Sequence, residues 1–80
     1  MKRADSTKYD AVVRRLGIRL RRIRQAQSET LQGVAKKAGF KSHGSIFLLE
    51  RGKSMSLSGY LAMASALEVK LSDLLRELKC

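Results

Sequence analysis

Proline and tryptophan are absent from this sequence of 80 residues, and cysteine and histidine occur once each. The single cysteine, Cys80, excludes an internal disulfide framework, and one cysteine with one histidine is too few for a usual structural zinc site. No apolar run is long enough for a membrane span or for the core of a signal peptide, so we expect a cytoplasmic protein. Without proline, and with glycines spaced between apolar segments, the sequence favours helices joined by glycine turns over a strand sandwich.

Acidic residues are also scarce. Seven Asp and Glu face seventeen Lys and Arg, which gives a net charge of +10 and an isoelectric point near 10.5. The first forty residues hold eleven of the basic residues and only three of the acidic ones. So large an excess favours a polyanionic partner, which means nucleic acid first and an anionic membrane second.

Apolar residues recur every three or four positions in five segments, which predicts five short helices and an all-α fold. In the first segment the apolar stripe lies opposite a row of arginines, and Ile18 falls on the arginine side. The expected inward residues are Tyr9, Val12, Val13, Leu16, Leu20 and Ile23 in helix 1; Leu31, Val34, Ala35 and Ala38 in helix 2; Ile46 and Leu49 in helix 3; Leu57, Tyr60, Leu61, Ala64 and Leu67 in helix 4; and Leu71, Leu74, Leu75 and Leu78 in helix 5.

Polar residues and glycines predict where these helices begin and end. Thr30, Ser42 and Ser56 are suited to cap the N-termini of helices 2, 3 and 4. Gly39 and Gly52 are suited to end helices 2 and 3. We expect residues 1–7 to form a flexible N-terminal tail and residues 8–80 to form one domain.

The stretch VAKKAGFKSHGSIFLLERGK, residues 34–53, resembles the Cro/lambda-repressor (Xre) family of helix-turn-helix DNA-binding domains. The similarity continues through SLSGYLAMASALEVKLSDLL and reaches back to LGIRLRRIR, so it covers residues 16–75. The matching positions are Ala35 between the two helices, Gly39 in the turn, Ile46 inside the recognition helix, and the closing Glu50, Arg51 and Gly52.

The resemblance implies a five-helix lambda-repressor-like bundle and a transcriptional regulator of the stand-alone repressor or controller type, bacterial or phage-encoded and nucleoid-associated. Such a protein binds a palindromic DNA operator as a homodimer, with helix 3 in the major groove. Double-stranded DNA and a second copy of the chain are the expected partners; no cofactor, metal, small-molecule ligand or membrane is expected. Paired acids, a glycine-rich phosphate loop and a nucleophile with a base are all missing, so we do not expect an enzyme.

In this motif the start of the recognition helix meets the base edges and the flanking loops meet phosphate. Leu31 stands where the family usually has a glutamine, so only its backbone N–H could meet phosphate there. The expected base-contacting residues are Lys41, Ser42, His43, Gly44 and Ser45 with the outward Phe47 and Leu48. The expected phosphate-contacting residues are Thr30, Leu31, Arg51, Lys53 and Ser54.

The resemblance also implies an ion pair between Arg24, at the end of helix 1, and Glu50, which gives Glu50 a structural role. The last helix carries more leucines than a domain of this size can bury, which predicts a two-fold interface. The expected interface residues are Val69, Leu71, Leu74, Leu75 and Leu78.

Two alternative functions stay open. The outward Phe47 and Leu48 would suit a helix-turn-helix fold used for contact with another protein. The basic amphipathic helix 1 would suit the surface of an anionic membrane.

Overall fold

The computed structural model describes residues 6–53 and 56–77, and all regular elements in these ranges are helices. They are α1 (Ser6–Ala26), α2 (Leu31–Ala38), α3 (Gly44–Glu50), α4 (Leu57–Ala66) and α5 (Leu71–Glu77). The prediction of an all-α fold with five helices is confirmed. Because α1 begins at Ser6, the last two residues of the expected tail 1–7 are helical; residues 1–5 lie outside the described ranges.

The ends of α2 and the start of α4 follow from local hydrogen bonding. The Thr30 hydroxyl accepts a bond of 2.9 Å from the N–H of Gly33, and the Ser56 hydroxyl accepts one of 3.0 Å from the N–H of Gly59. Each bond satisfies an amide that has no partner inside its own helix. Gly39 ends α2 with φ of 85°, a left-handed conformation that glycine adopts without steric cost.

The start of α3 differs from the prediction. His43, not Ser42, occupies the capping position, and its side chain makes no capping bond. The Ser42 hydroxyl lies one position earlier and accepts a bond of 3.1 Å from the N–H of Gly44. Ser42 therefore still satisfies an amide of the first turn of α3, although the helix begins one residue later than a Ser42 cap requires.

Helix α3 lies at the centre of the bundle and contacts α1, α2 and α4, while α5 packs against α4 and α1. Val13, Ile23, Leu31, Phe40 and Val69 are partly buried at the edge of the core. The buried apolar residues are Leu16, Leu20, Val34, Ala35, Ile46, Leu49, Tyr60, Met63, Ala64, Leu67, Leu71 and Leu74.

The predicted inward face of α4 is partly wrong. Leu57 and Leu61 are 64% and 49% exposed, whereas Met63, which the apolar stripe left out, is fully buried. The cause is composition: α4 reads LSGYLAMASA, with no charged residue to mark the solvent side. A nearly uniform apolar helix does not reveal by periodicity which face turns inward.

Two glycines set the close packing of α1 on α3. A Cβ atom on Gly17 would lie 2.5 Å from the carbonyl oxygen of Glu50 and 2.6 Å from that of Leu49. Gly52 follows α3 with φ of 69°, and a Cβ atom there would lie 2.7 Å from the Cα of Arg14. The backbone of α1 therefore lies directly against the end of α3, which fixes how α3 is presented to solvent.

None of the described helices combines the length and the apolar character needed to cross a membrane.

Candidate nucleic-acid interface

A five-residue turn, residues 39–43, connects α2 to α3. The N–H of Phe40 donates a bond of 2.9 Å to the carbonyl of Ala35, which folds the turn back on α2. The side chains of Lys41, Ser42 and His43 are all exposed just before α3. The structure thus brings three predicted base-contacting residues together at one end of the helix.

These three residues form one wall of an open groove of about 490 Å³. Gln32 and Lys36, one turn apart on α2, line the other side. Neither α2 residue was predicted as part of the site, although their i, i+4 spacing places them on the same face of the helix. The groove carries two lysines and no acidic residue, which suits an anionic ligand.

Along α3 the outward surface is apolar. Phe47 and Leu48 are 44% and 47% exposed, whereas Gly44 and Ser45 are half-buried. The Arg51 guanidinium carbon lies 5.0 Å from the centroid of the Phe47 ring, a cation–π contact. This contact places the positive charge of Arg51 beside the apolar side chains of α3.

Lys53, in the segment after α3, is exposed. Its N–H donates a bond of 2.9 Å to the carbonyl of Leu48, so the segment stays against the end of α3. Ser54, which was predicted to contact phosphate, lies outside the described ranges.

The two residues at the start of α2 that were predicted to contact phosphate differ in exposure. Thr30 is exposed, whereas Leu31 is half-buried against the core. Leu31 lines a hollow of about 150 Å³ together with Arg21, Arg24, Phe47, Glu50 and Arg51. Arg21 was not predicted as a member of this cationic hollow; its position three residues before Arg24 on the same helix was the available signal.

Arg24 and Glu50 form the ion pair that the resemblance implies. The guanidinium Nε lies 2.5 Å from Oε2 of Glu50, and the second branch donates to Oε1 at 3.3 Å. The remaining branch donates a bond of 2.8 Å to the backbone carbonyl of Glu29. With side chains only 12% and 5% exposed, the pair joins α1, the α1–α2 turn and α3, and it leaves Glu50 in a structural position.

Two of the five residues predicted to form a two-fold interface are buried inside the domain. Leu71 and Leu74 are 6% and 4% exposed and belong to the domain's own core, so they cannot face a second copy. The cause is that α5 packs on both α4 and α1, which covers one side of it. Leu75 remains 44% exposed and Val69 is half-buried; Leu78 lies outside the described ranges.

Among the described residues, no three His, Cys, Asp or Glu side chains come together as they would to hold a metal ion. Comparison of the chain with protein-family models, with curated proteins and with solved structures yielded no match. The similarity to the Cro/lambda-repressor family therefore stays a prediction from the residues of this chain.

Proposed function

We propose that the protein is a sequence-specific, double-stranded DNA-binding regulator of transcription that acts in the cytoplasm. The observation that carries the proposal is the exposed trio of Lys41, Ser42 and His43 at the start of α3. A lysine can donate to guanine O6 and N7, and the serine hydroxyl and the imidazole can each donate or accept at a base edge. The net charge of +10 supplies the attraction to phosphate that all duplex binding requires.

The apolar surface of α3 fits the same role. Phe47 could cover a thymine methyl group in the major groove, and Arg51 beside it could reach a phosphate. Lys53, exposed just after α3, supplies a further cation for the DNA backbone.

The proposal includes a homodimer on a palindromic operator. Leu75 and Val69 support it, and so do Leu57 and Leu61, which were expected in the core and are exposed instead. A second copy covering these residues would remove exposed apolar side chains from water. Two α3 helices in successive major grooves would then lie about 34 Å apart.

The test is selection of a preferred duplex from random sequence, followed by binding measurements on that duplex and on random DNA. Lys41→Ala and His43→Ala are each expected to weaken binding to the preferred duplex by about 1–3 kcal/mol, with little change on random DNA. Lys70→Ala, an exposed lysine outside this surface, is the control. Equal losses on both kinds of DNA would reduce Lys41 and His43 to phosphate contacts, and a failure to select any sequence would contradict the proposal.

Contact with another protein is the second candidate function, and the exposure of Phe47 and Leu48 favours it. Two measurements separate the two functions: selection of a duplex by wild type, and binding of wild type and of Leu48→Ser to protein partners. A protein chain that binds wild type but not Leu48→Ser, together with no duplex selected by wild type, would favour the second function.

A further inference from the structure

The one histidine of the sequence, His43, occupies the last position before α3. Its side chain is exposed and makes no capping bond to the helix. Imidazole is the side-chain group that ordinarily gains or loses a proton between pH 5 and 8, and both of its nitrogens donate once it is protonated. An exposed imidazole at this position makes the charge of the candidate DNA-binding surface dependent on pH.

The other charged groups that line the groove with His43 are cationic. They are Lys36 of α2 and Lys41 of the turn, and no carboxylate lines the groove of about 490 Å³. The acidic residue of α3, Glu50, is buried in its pair with Arg24. The groove therefore holds two positive charges when the imidazole is neutral and three when it is protonated.

The elements that pack around the groove bring no acidic partner to the imidazole. Glu29, just before α2, forms an ion pair with Lys37, and neither of them lines the groove. Helix α4, which packs on both α2 and α3, has no charged residue. In the part of the chain that the structure describes, a protonated His43 thus has to find its counter-charge on a ligand.

Duplex DNA supplies acceptors for a protonated imidazole. Phosphate oxygens and the O6 and N7 atoms of guanine all accept hydrogen bonds, so a ring with two N–H donors binds them better than a neutral ring does. A negative charge within about 4–6 Å also favours the protonated form of a base. By thermodynamic linkage, a complex that favours the charged ring takes up a proton as it forms.

We propose that binding of DNA takes up a proton at His43, so that the affinity for the duplex falls as the pH rises. The proposal rests on the proposed function for its ligand, a DNA duplex. Affinity is highest at low pH, where the ring is charged in both the free and the bound chain, and it falls as the pH rises through the range in which the bound ring loses its proton. A regulator with this property releases DNA as its surroundings become more alkaline.

The test measures affinity by fluorescence anisotropy from pH 5.5 to 7.5 at constant ionic strength, since salt alone changes binding to DNA. Each protein is measured with the selected duplex and with random DNA of the same length. His43→Gln removes the titrating ring and keeps a side chain that forms hydrogen bonds. The matched control is Lys41→Gln, which removes a charge from the same groove and leaves the ring in place. Circular dichroism verifies that each variant folds as wild type does.

The expected change follows from linkage. If the complex binds the charged ring tenfold more tightly than the neutral ring, affinity falls roughly fivefold per chain between pH 5.5 and 7.5. We expect this fall for wild type and also for Lys41→Gln, whose affinity is lower at every pH, whereas the affinity of His43→Gln should not change with pH. Equal pH dependence in wild type and His43→Gln would overturn the proposal, and so would a wild-type affinity that is constant over this range.

Calorimetry counts the proton directly. Binding heats measured near pH 7 in two buffers of different ionisation enthalpy are expected to show an uptake of about 0.5 protons per chain for wild type and almost none for His43→Gln. A permanently charged variant, His43→Lys, should bind DNA more tightly than His43→Gln at pH 7.5. Equal or weaker binding by His43→Lys would show that DNA does not respond to a charge at this position and would overturn the proposal.

The two kinds of DNA separate this inference from the function proposed above. A preferred duplex that binds without proton uptake would overturn the inference and leave the proposed function standing. Failure to select any duplex would contradict the proposed function, and random DNA would still decide whether His43 takes up a proton. Uptake on both kinds of DNA assigns the charged ring to phosphate, and uptake confined to the preferred duplex assigns it to base edges.

Discussion

Gly17 lies where the backbone of α1 crosses the last carbonyl groups of α3. The space for a side chain there is already filled by backbone atoms of Leu49 and Glu50, which cannot move aside as a flexible side chain can. In the sequence this glycine looks like a helix-weakening residue in the middle of α1, since glycine costs about 1 kcal/mol relative to alanine inside a helix. The close contact of α1 with the end of α3 explains why a glycine stands at this position.

We expect Gly17→Ala to lower the free energy of unfolding by about 2–3 kcal/mol, because the added methyl group forces α1 away from α3. The measurement is urea denaturation. The control is Gly33→Ala in α2, where the new methyl group meets two side-chain oxygens at 3.1 Å, those of Glu29 and Thr30; a shift within about 1 kcal/mol of zero is expected there. A wild-type midpoint for Gly17→Ala would contradict the close approach.

The side chain of Tyr60 lies in the core. Burial raises the pKa of the Tyr60 hydroxyl above its ordinary value of 10.0, because the phenolate form is poorly solvated inside the core. Its Oη donates a bond of 3.3 Å to the carbonyl of Leu49. The folded chain therefore holds this proton at pH values where the unfolded chain has released it.

The sign of the pH dependence follows. Below pH 10 the stabilisation of the neutral phenol is complete, and it is lost as pH rises above 10 because the unfolded state then gains by ionising. We expect the difference in unfolding free energy between wild type and Tyr60→Phe to shrink above pH 10. Denaturation at a series of pH values measures this difference. A difference that stays constant to pH 11 would contradict the raised pKa of Tyr60.

Helix ends and helix faces were predictable to different degrees. Thr30 and Gly39 bound α2 as the sequence indicates, because a cap depends on neighbours along the chain. The inward face of α4 was wrong at Leu57 and Leu61, because only contacts with other helices select it. The close approach at Gly17 was not predictable either, since no pattern in the sequence marks which carbonyl groups lie over a helical glycine.

Among the residues of the candidate site, the Arg24–Glu50 pair was found through family resemblance rather than from pattern. It connects α1 with α3 and also holds the α1–α2 turn through Glu29. Helices α1 and α3 and the α1–α2 turn therefore depend on this one buried contact. We expect its loss to make the position of α3 in the bundle less fixed.

We expect Glu50→Ala to cost about 3 kcal/mol of unfolding free energy, because it leaves the Arg24 charge nearly buried and unpaired. The apolar replacement Arg24→Met/Glu50→Leu should recover most of that loss. Glu29→Gln, which breaks the more exposed pair of Glu29 with Lys37, serves as the control and should cost about 1 kcal/mol or less. Thermal denaturation of wild type and the three variants measures these costs. Equal costs for Glu50→Ala and Glu29→Gln would show that burial does not strengthen the Arg24–Glu50 pair.

Across the whole molecule, the arginines of α1 and the exposed leucines of α4 lie on different helices. Arginines cover the outer side of α1, whereas α4 has no charged residue and exposes Leu57 and Leu61. With a net charge of +10, two copies repel each other least where their approach buries α4 and Leu75. This distribution agrees with the proposed homodimer better than with one formed through α1.

Sedimentation at micromolar concentration is expected to give twice 8.9 kDa for wild type. Leu75→Asp is expected to give a monomer with weakened operator binding, because a buried, unpaired carboxylate opposes association. Ile18→Asp, an equally exposed apolar residue on α1, is the control and should leave the dimer intact. A wild-type monomer that binds an isolated half-site at full affinity would contradict the homodimer.

The contacts of α1 also affect how the chain folds during synthesis. This helix leaves the ribosome before the others. Its packing partners α3 and α5 are synthesised later, at a few residues per second or more, so α1 stays unpacked during that time. Until then its apolar stripe, with Leu16 and Leu20, has nothing to pack against, and its like-charged arginines oppose helix formation. The apolar stripe of α1 is therefore the part of the core that stays exposed longest during synthesis.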